Sequence, residues 1–316
     1  MRYSRQEILK QIGKNGQEKL KKSAVIIIGL GALGTTAAEL LTRLGIGNLI
    51  LIDRDFIELT NLHRQHLFDE SSIGKQKSIQ AMQELKKING DINIKAYFDN
   101  LDYTNINELV KGDLILDCTD NLETRFLINE FSIQNKIPWI YAACIGSIGY
   151  IFNIIPGKVC FNCIFKETLN LETCETFGIL NTISNLIASI QVNESIKILL
   201  NKDYEKDLIY FNIWNNNLMK IKVSKNNNCD ACNKNFQYLN GKKYKSLIRF
   251  CGSDRYLIKG NFDLDLFKKR LEKIGMVNSW QNSFNFENII VFKDKIILKA
   301  KDEKEAKSIF SKYIGD

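Results

Sequence analysis

Gly29, Gly31 and Gly34 close an apolar run, in AVIIIGLGALGTT, residues 24–36. Glycines at that spacing let a chain turn sharply out of a strand, bring its backbone close to a phosphate and pack the next helix tightly. The helix that starts there offers unpaired N–H groups and a positive dipole end to an anion. Asp53 ends the next apolar run, NLILID, 19 residues after Gly34, where a carboxylate reaches a ribose hydroxyl. By themselves these residues fit NAD, FAD or ATP, or a tight turn that binds nothing.

The loop that follows, DFIELTNLHRQHLF, favours one of those chemistries. A nicotinamide site needs a hydride path and an acid–base group, whereas a triphosphate needs cations and donors against about four negative charges. Asn61, Arg64 and, in the first turn of the next helix, Lys77 meet the second need. His63 and His66 flank Arg64 and are expected at the surface. The run DCTDN then places Asp117 and Asp120 at the carboxyl edge of a strand, where open α/β sheets bind ligands. Magnesium is held by one or two carboxylates together with substrate phosphates. Asp120, beyond the strand, is the better candidate for that role, with a helix cap as its alternative. Asp117, still on the strand, suits structural hydrogen bonding.

Four of the eight cysteines form two C-x-x-C pairs, Cys160/Cys163 and Cys229/Cys232, separated by 65 residues. Four thiolates so paired suit a closed, tetrahedral structural zinc site that joins distant segments. A thioredoxin-like redox pair needs only one such motif, at a helix start. Cys118 and Cys144 lie in or beside apolar strands and read as core. Cys251 carries no chemical assignment.

These groups need a scaffold. Apolar strands at 24–29, 48–53, 113–118 and 137–144 alternate with helices near 34–44, 75–88 and 121–135. That pattern implies a Rossmann-like α/β fold, a mostly parallel sheet with helices on both faces. SIGYIFNII, DLIYFNIW and NLMKIKV add antiparallel strands, and Ile183, Leu186, Ile187 and Ile190 mark one face of a long helix. The polar stretch KNNNCDACNKNFQYLNGKKYKS reads as a boundary. The expected organisation is an ATP-binding domain over 1–235, then a linker and a small basic α+β domain over 236–316. In the latter, two strands precede a helix, DLDLFKKRLEKIG, that Gly275 is suited to end. A hairpin, IIVFKDKIILKA, and a last helix started by Asp302 and Glu305 complete it.

With 316 residues, 45% hydrophobic and 25% charged, the composition is that of a globular protein. No apolar run has membrane-spanning length and the first residues lack a secretory stretch, so a cytoplasmic protein without a membrane partner is expected. The net charge is +8, and from Lys242 onward 17 basic residues face 10 acidic ones. Such an excess suits an acidic partner or nucleic acid, but self-solvation by lysine is the simpler reading, and no nucleic-acid partner is expected.

The segments RYSRQ, GLGALG, DRDFIELTNLHRQ, GKQK, DCTDNLETR, the two C-x-x-C pairs and SIQVNESIK together resemble the ThiF/MoeB/HesA family, bacterial relatives of the ubiquitin-activating enzymes. The likeness runs over roughly residues 2 to 233. It implies an ATP-dependent adenylyltransferase that activates the C-terminal glycine of a ubiquitin-like sulfur-carrier protein, for thiazole or molybdopterin synthesis, with a sulfur donor as a further partner. Position by position, it implies a glycine turn of Gly29, Gly31, Ala32 and Gly34, with Asp53 on the ribose. Asn61, Arg64 and Lys77 meet the phosphates, and Asp120 is the magnesium-linked catalytic carboxylate. Arg5 matches an arginine that family homodimers insert into the neighbouring ATP site. Cys174, in NLETCETFG, falls on a crossover loop where thiazole-forming members use a cysteine in an acyl-disulfide, and molybdopterin-forming members carry one without need of it. The resemblance also points to zinc on the four paired cysteines. Ala32 departs from a common glycine, and Thr182, Asn185 and Ala188 replace a proline and two glycines, which bears on the start of that helix more than on chemistry. An NAD(P)-dependent oxidoreductase and a non-catalytic scaffold of the same fold are the alternatives.

Overall fold

The computed structural model describes residues 2–166, 177–244, 247–249, 254–280 and 283–314. Cys174 and Cys251 lie outside them. The chain divides into two compact units, Met1–Lys243 and Tyr244–Asp316. Residues 236–243 of the expected linker thus group with the first unit. The reason is local: Glu130 accepts hydrogen bonds from the N–H groups of Gln237, Tyr238 and Leu239 at 3.0, 2.9 and 2.8 Å. Those bonds fasten the expected linker to the first unit.

Two short helices, α1 (Ser4–Glu7) and α2 (Gly13–Lys22), precede the first strand, β1 (Ala24–Ile28). There follow α3 (Ala32–Leu44), β2 (Asn48–Asp53), α4 (Lys77–Ile88), β3 (Asn93–Phe98), α5 (Ile106–Leu109), β4 (Leu114–Asp117) and α6 (Leu122–Asn135). The unit continues with β5 (Trp139–Ile145), β6 (Ile148–Ile154), α7 (Phe161–Ile164), α8 (Asn181–Leu199), β7 (Leu208–Asn212) and β8 (Asn217–Ile221). The strands form one sheet in the order β3-β2-β1-β4-β5-β6-β7-β8. Neighbours from β3 to β5 are parallel, and β5 to β8 pair antiparallel.

Because side chains alternate across a strand, the unbroken apolar runs feed two cores. Val25, Ile27, Leu49, Leu51, Leu114 and Leu116 pack with residues of α3, α4 and α8. Ile26, Ile28, Ile50, Ile52 and Ile115 pack on the other face with Phe126, Phe131, Trp139 and Phe161. β3 escapes the apolar-run pattern because it is an edge strand, with Lys95 exposed between Ile94 and Ala96. The helix at 181–199 runs unbroken despite its departures from the family pattern, with Ala188 fully buried and Asn185 accepting a hydrogen bond from Thr36 at 2.9 Å.

The second unit is a six-stranded antiparallel sheet in the order β11-β12-β13-β14-β10-β9. Its strands are β9 (Leu247–Arg249), β10 (Arg255–Lys259), β11 (Val277–Trp280), β12 (Ser283–Phe286), β13 (Ile289–Phe292) and β14 (Lys295–Lys299). Among the described residues two helices accompany it, α9 (Leu264–Leu271) and α10 (Glu303–Tyr313). α9 stops at Leu271, four residues before Gly275, although the Gly275 N–H still reaches the Leu271 carbonyl at 3.0 Å. Among the described residues no helix is long and apolar enough to cross a membrane.

Candidate active site

Strand order reverses between β1 and β4, which places the ends of those two strands on either side of a crevice. Gly29 leaves β1 with φ +89°, and a β-carbon there would lie 2.6 Å from the Cys118 carbonyl oxygen at the end of β4. Gly31 faces open space, so the backbone is accessible at that point. The first helical N–H to find an internal acceptor is that of Thr35, on the Gly31 carbonyl at 3.0 Å. The N–H groups of Ala32, Leu33 and Gly34 before it are the orphan donors of a helix N-terminus. A β-carbon on Gly34 would stand 1.9 Å from the Gly29 carbonyl oxygen. Gly34→Ala is therefore expected to force the turn from its helix, at a cost of about 2–3 kcal/mol. Urea unfolding with a parallel ATP titration reads both effects; wild-type values for the two would show that the turn tolerates the methyl.

Asp53 holds this turn from β2. One of its carboxylate oxygens accepts from the Leu30 N–H at 2.5 Å and the other from the Asp55 N–H at 2.6 Å. Burial, with help from the nearby Asp55 charge, pushes its carboxyl above the usual range. Lys77 sits at the start of α4, 5% exposed, with Nζ 3.0 Å from Asp55 Oδ2. Burial pulls its ammonium down, but Asp55, Asp53 and Asp120 outweigh it and hold the group above the ordinary lysine value. Lys77 is thus a fixed positive charge facing three carboxylates. Asp55 was not foreseen from the sequence; its signal is the D-x-D spacing of DRD.

Asn61, 7% exposed, uses its amide oxygen to accept the Glu58 N–H at 3.1 Å, which leaves its NH2 donors for a ligand. Arg64 Nη1 bonds the Thr60 carbonyl and the His63 ring, each at 2.8 Å. Among the described residues its partners are all in its own loop, which leaves the rest of its five-donor fork for a ligand. His63 is exposed but not idle: burial and the Arg64 charge lower its pKa. The loop reaches α8 through the Asn181 side chain, which donates to the His63 carbonyl at 3.3 Å.

On the β4 side, Asp117 is fully buried and pairs with Arg125 at 3.1 Å. Thr119 donates to Asp117 through both N–H and hydroxyl, at 2.9 and 2.6 Å. Arg125 also bonds the Thr119 carbonyl and lies 4.9 Å over the Tyr141 ring. From behind, Gln191 of α8 donates to the carbonyls of Asp117 and Ile140, both at 3.0 Å. This buried frame presents Asp120, which is exposed. Asn121 caps α6 by accepting the Thr124 N–H at 2.8 Å, so Asp120 is not the cap. Its charge acts on both Lys77 and Arg125. Arg125 and Gln191 were legible in the motifs only as letters, without a role.

The structure thus gathers the glycine turn, Asp53, Asp55, Lys77 and Asp120 at one crevice, with Asn61 and Arg64 on the loop between β2 and α4. Arg5 is not there. It is exposed on α1, and its neighbour Gln6 donates to the Leu44 carbonyl at the far end of α3. A 13-residue helix spans about 20 Å, so Arg5 is remote from its own turn.

The four paired cysteines converge elsewhere, all within 4.8 Å of one another. Their sulfurs are separated by 3.7 Å (Cys160–Cys163), 3.5 Å (Cys160–Cys229), 3.6 Å (Cys163–Cys232) and 3.4 Å (Cys160–Cys232). Those distances exclude disulfides, whose sulfurs lie about 2.05 Å apart. They match the edges of a tetrahedron of thiolates about 2.3 Å from a central zinc, roughly 3.8 Å. Burial and the neighbouring sulfurs push the Cys160 thiol far up, against ionisation without a cation beside it. The donors fit zinc.

Residues 3–231 match the model of the ThiF family. The chain is 33% identical to the sulfur carrier protein ThiS adenylyltransferase of Bacillus subtilis, over 99% of each chain. It is 35% identical to the molybdopterin-synthase adenylyltransferase of Escherichia coli, over 73% of this chain and 96% of the relative. Among solved structures, E. coli MccB with ATP superposes with a TM-score of 0.66 at 26% identity, over 73% of each chain.

Proposed function

The chain belongs to the ThiF family and is an adenylyltransferase, and from that premise we propose that its substrate is the C-terminal glycine of a ThiS-like sulfur carrier. What supports that carrier class is the likeness to a relative named for ThiS over 99% of each chain, the second unit included. The observation that carries the site assignment is the meeting of the glycine turn, Lys77 and Asp120 at the strand-order reversal.

In this reading the N–H groups at the start of α3 and the Lys77 ammonium receive phosphate oxygens of ATP. Asn61 and Arg64 add donors from the loop, and Asp53, after its two backbone bonds, still has lone pairs for a ribose hydroxyl. The carrier's carboxylate attacks the α-phosphorus, a new O–P bond forms, and the bond to the β-phosphate breaks to release pyrophosphate. Like-charge repulsion opposes that approach, and fixed cations relieve it. Asp120, exposed and outside any cap, would hold magnesium, which supplies positive charge to the phosphates. Arg5 suits a role only in a partner's site, which makes a homodimer part of the proposal. Zinc on Cys160, Cys163, Cys229 and Cys232 is a structural element, and Cys174 and a sulfur donor belong to steps after adenylation.

The test is ATP–pyrophosphate exchange with each Gly-Gly-ending carrier of the same organism. Exchange dependent on one carrier, and lost when its terminal glycine is removed, is the expected result. ATP binding without exchange for any carrier would overturn the assignment.

A further inference from the structure

At the end of the sheet opposite the glycine turn lies a cavity of about 1020 Å3. Ser23 and Asp113, just before β1 and β4, line it, whereas Gly29 and Asp120 follow those strands. Strands of five and four residues separate the two ends by roughly 13–16 Å. The floor is apolar, with Ile133, Pro138, Ile154, Ile198 and Leu199. The rim carries seven lysines and a single carboxylate, Asp113. That carboxylate already accepts the Ala24 N–H at 2.8 Å.

This charge is concentrated beyond what the unit as a whole would give. The unit Met1–Lys243 holds 29 basic against 26 acidic residues. A unit with a net charge of only +3 therefore places seven lysines around one cavity. Among the described residues none of the seven is in an ion pair. Four of them, Lys19, Lys22, Lys136 and Lys202, follow or end helices α2, α6 and α8, whose negative dipole ends they complement. Each helix end is worth roughly half an elementary charge. Two cysteines of the four-sulfur cluster, Cys160 and Cys232, also line the cavity, and with zinc bound that cluster carries a net charge of about −2. Together with Asp113 and three helix ends it still does not balance seven cations, and Lys158, Lys225 and Lys234 lie outside those helices.

The backbone adds an independent observation. Lys136 (φ 56°), Asn201 (φ 56°) and Lys234 (φ 61°) are three of the five described non-glycine residues with left-handed backbone, and all three line this cavity. Glycine is the favoured residue there, and Lys136 stands at the helix end where it is commonest. Lys136 and Lys234 thus put charge on the rim where glycine would be less strained, whereas Asn201 is uncharged and of a type that tolerates this backbone.

We propose that the cavity docks an acidic peptide segment of a partner protein, its apolar side chains on the isoleucine and leucine floor and its carboxylates on the lysine rim. Charge complementarity selects an acidic partner. A nucleic acid fits worse, because the lining holds no arginine and one aromatic residue, Tyr204, whereas single strands need stacking platforms. Sitting at the far end of the sheet, the peptide occupies its site while ATP occupies the crevice.

The probe is a short fluorescein-labelled peptide alternating glutamate and leucine, titrated by anisotropy against the full-length chain. Saturable, salt-sensitive binding is expected, undisturbed by ATP and weakened at least tenfold by Lys136→Glu combined with Lys202→Glu. Lys158→Glu, in the turn after β6, gives an independent variant should the first pair fail to fold. Lys269→Glu with Lys304→Glu, in the basic second unit, should leave binding unchanged. Absence of saturable binding, loss that follows the second-unit pair instead, displacement by ATP, or tighter binding of an oligothymidylate of equal charge would each overturn the proposal.

Discussion

Asp120→Asn is expected to lower carrier-dependent pyrophosphate exchange about a thousandfold, the scale on which a fixed electrostatic group acts on a developing charge. The substitution keeps the shape of the side chain and removes its charge alone. The fold depends little on that charge: Asp120 is exposed, the α6 cap is Asn121, the Thr124 N–H is satisfied without it, and Lys77 and Arg125 keep their closer partners Asp55 and Asp117. The melting temperature should therefore stay within a degree or two of wild type, since surface changes away from such features move stability by less than about 0.5 kcal/mol. Asp117→Asn, three residues earlier, makes the contrast. It leaves Arg125, 4% exposed, without its ionic partner, a loss of about 3–5 kcal/mol. A variant at Asp120 that unfolds, or one that retains full exchange, would remove it from the reaction.

That contrast also shows where the sequence was informative. DCTDN supplied two aspartates, and their separate roles followed from position: the strand ends at Asp117, so its side chain turns into the core, and Asp120 lies beyond it. The apolar parallel strands were readable because both faces of the sheet are covered, and a run such as AVIII has no other stable place. Three strands were not, although the edge strands β8 and β9 were. β3, β11 and β12 mix Asn, Lys or Ser with their apolar residues, and their pairing is decided by the neighbouring strand rather than by their own pattern. The frame behind the site was also closed to inspection. Arg125 lies eight residues from Asp117 and Gln191 is 74 residues from it, and only folding brings a guanidinium and an amide to the same strand end. Lys77 was readable as a cation, but not as one held between Asp55 and Asp53.

Removing the zinc proposed for the four-cysteine cluster is expected to lower the melting temperature by about 10 °C. Cys160 and Cys229 are 69 residues apart in sequence and 3.5 Å apart in space. A cross-link over such a loop takes about 4 kcal/mol of entropy from the unfolded chain. For a unit of this size each kcal/mol shifts the midpoint by about 2–4 °C. Most domains hold about 5–15 kcal/mol, so the loss leaves a folded but weakened protein. The cluster borders the core face that contains Phe126, Trp139 and Phe161, and the damage should appear first there. Near-ultraviolet circular dichroism under reducing conditions, with metal content measured on the same sample, follows it. Restoring zinc should recover the wild-type midpoint, and cobalt should give the charge-transfer bands of a thiolate tetrahedron. Cys229→Ser should reproduce the metal-free midpoint and lose its response to zinc. Chelated protein that melts with the untreated sample, its metal demonstrably gone, would mean that hydrophobic packing alone brings the four sulfurs together.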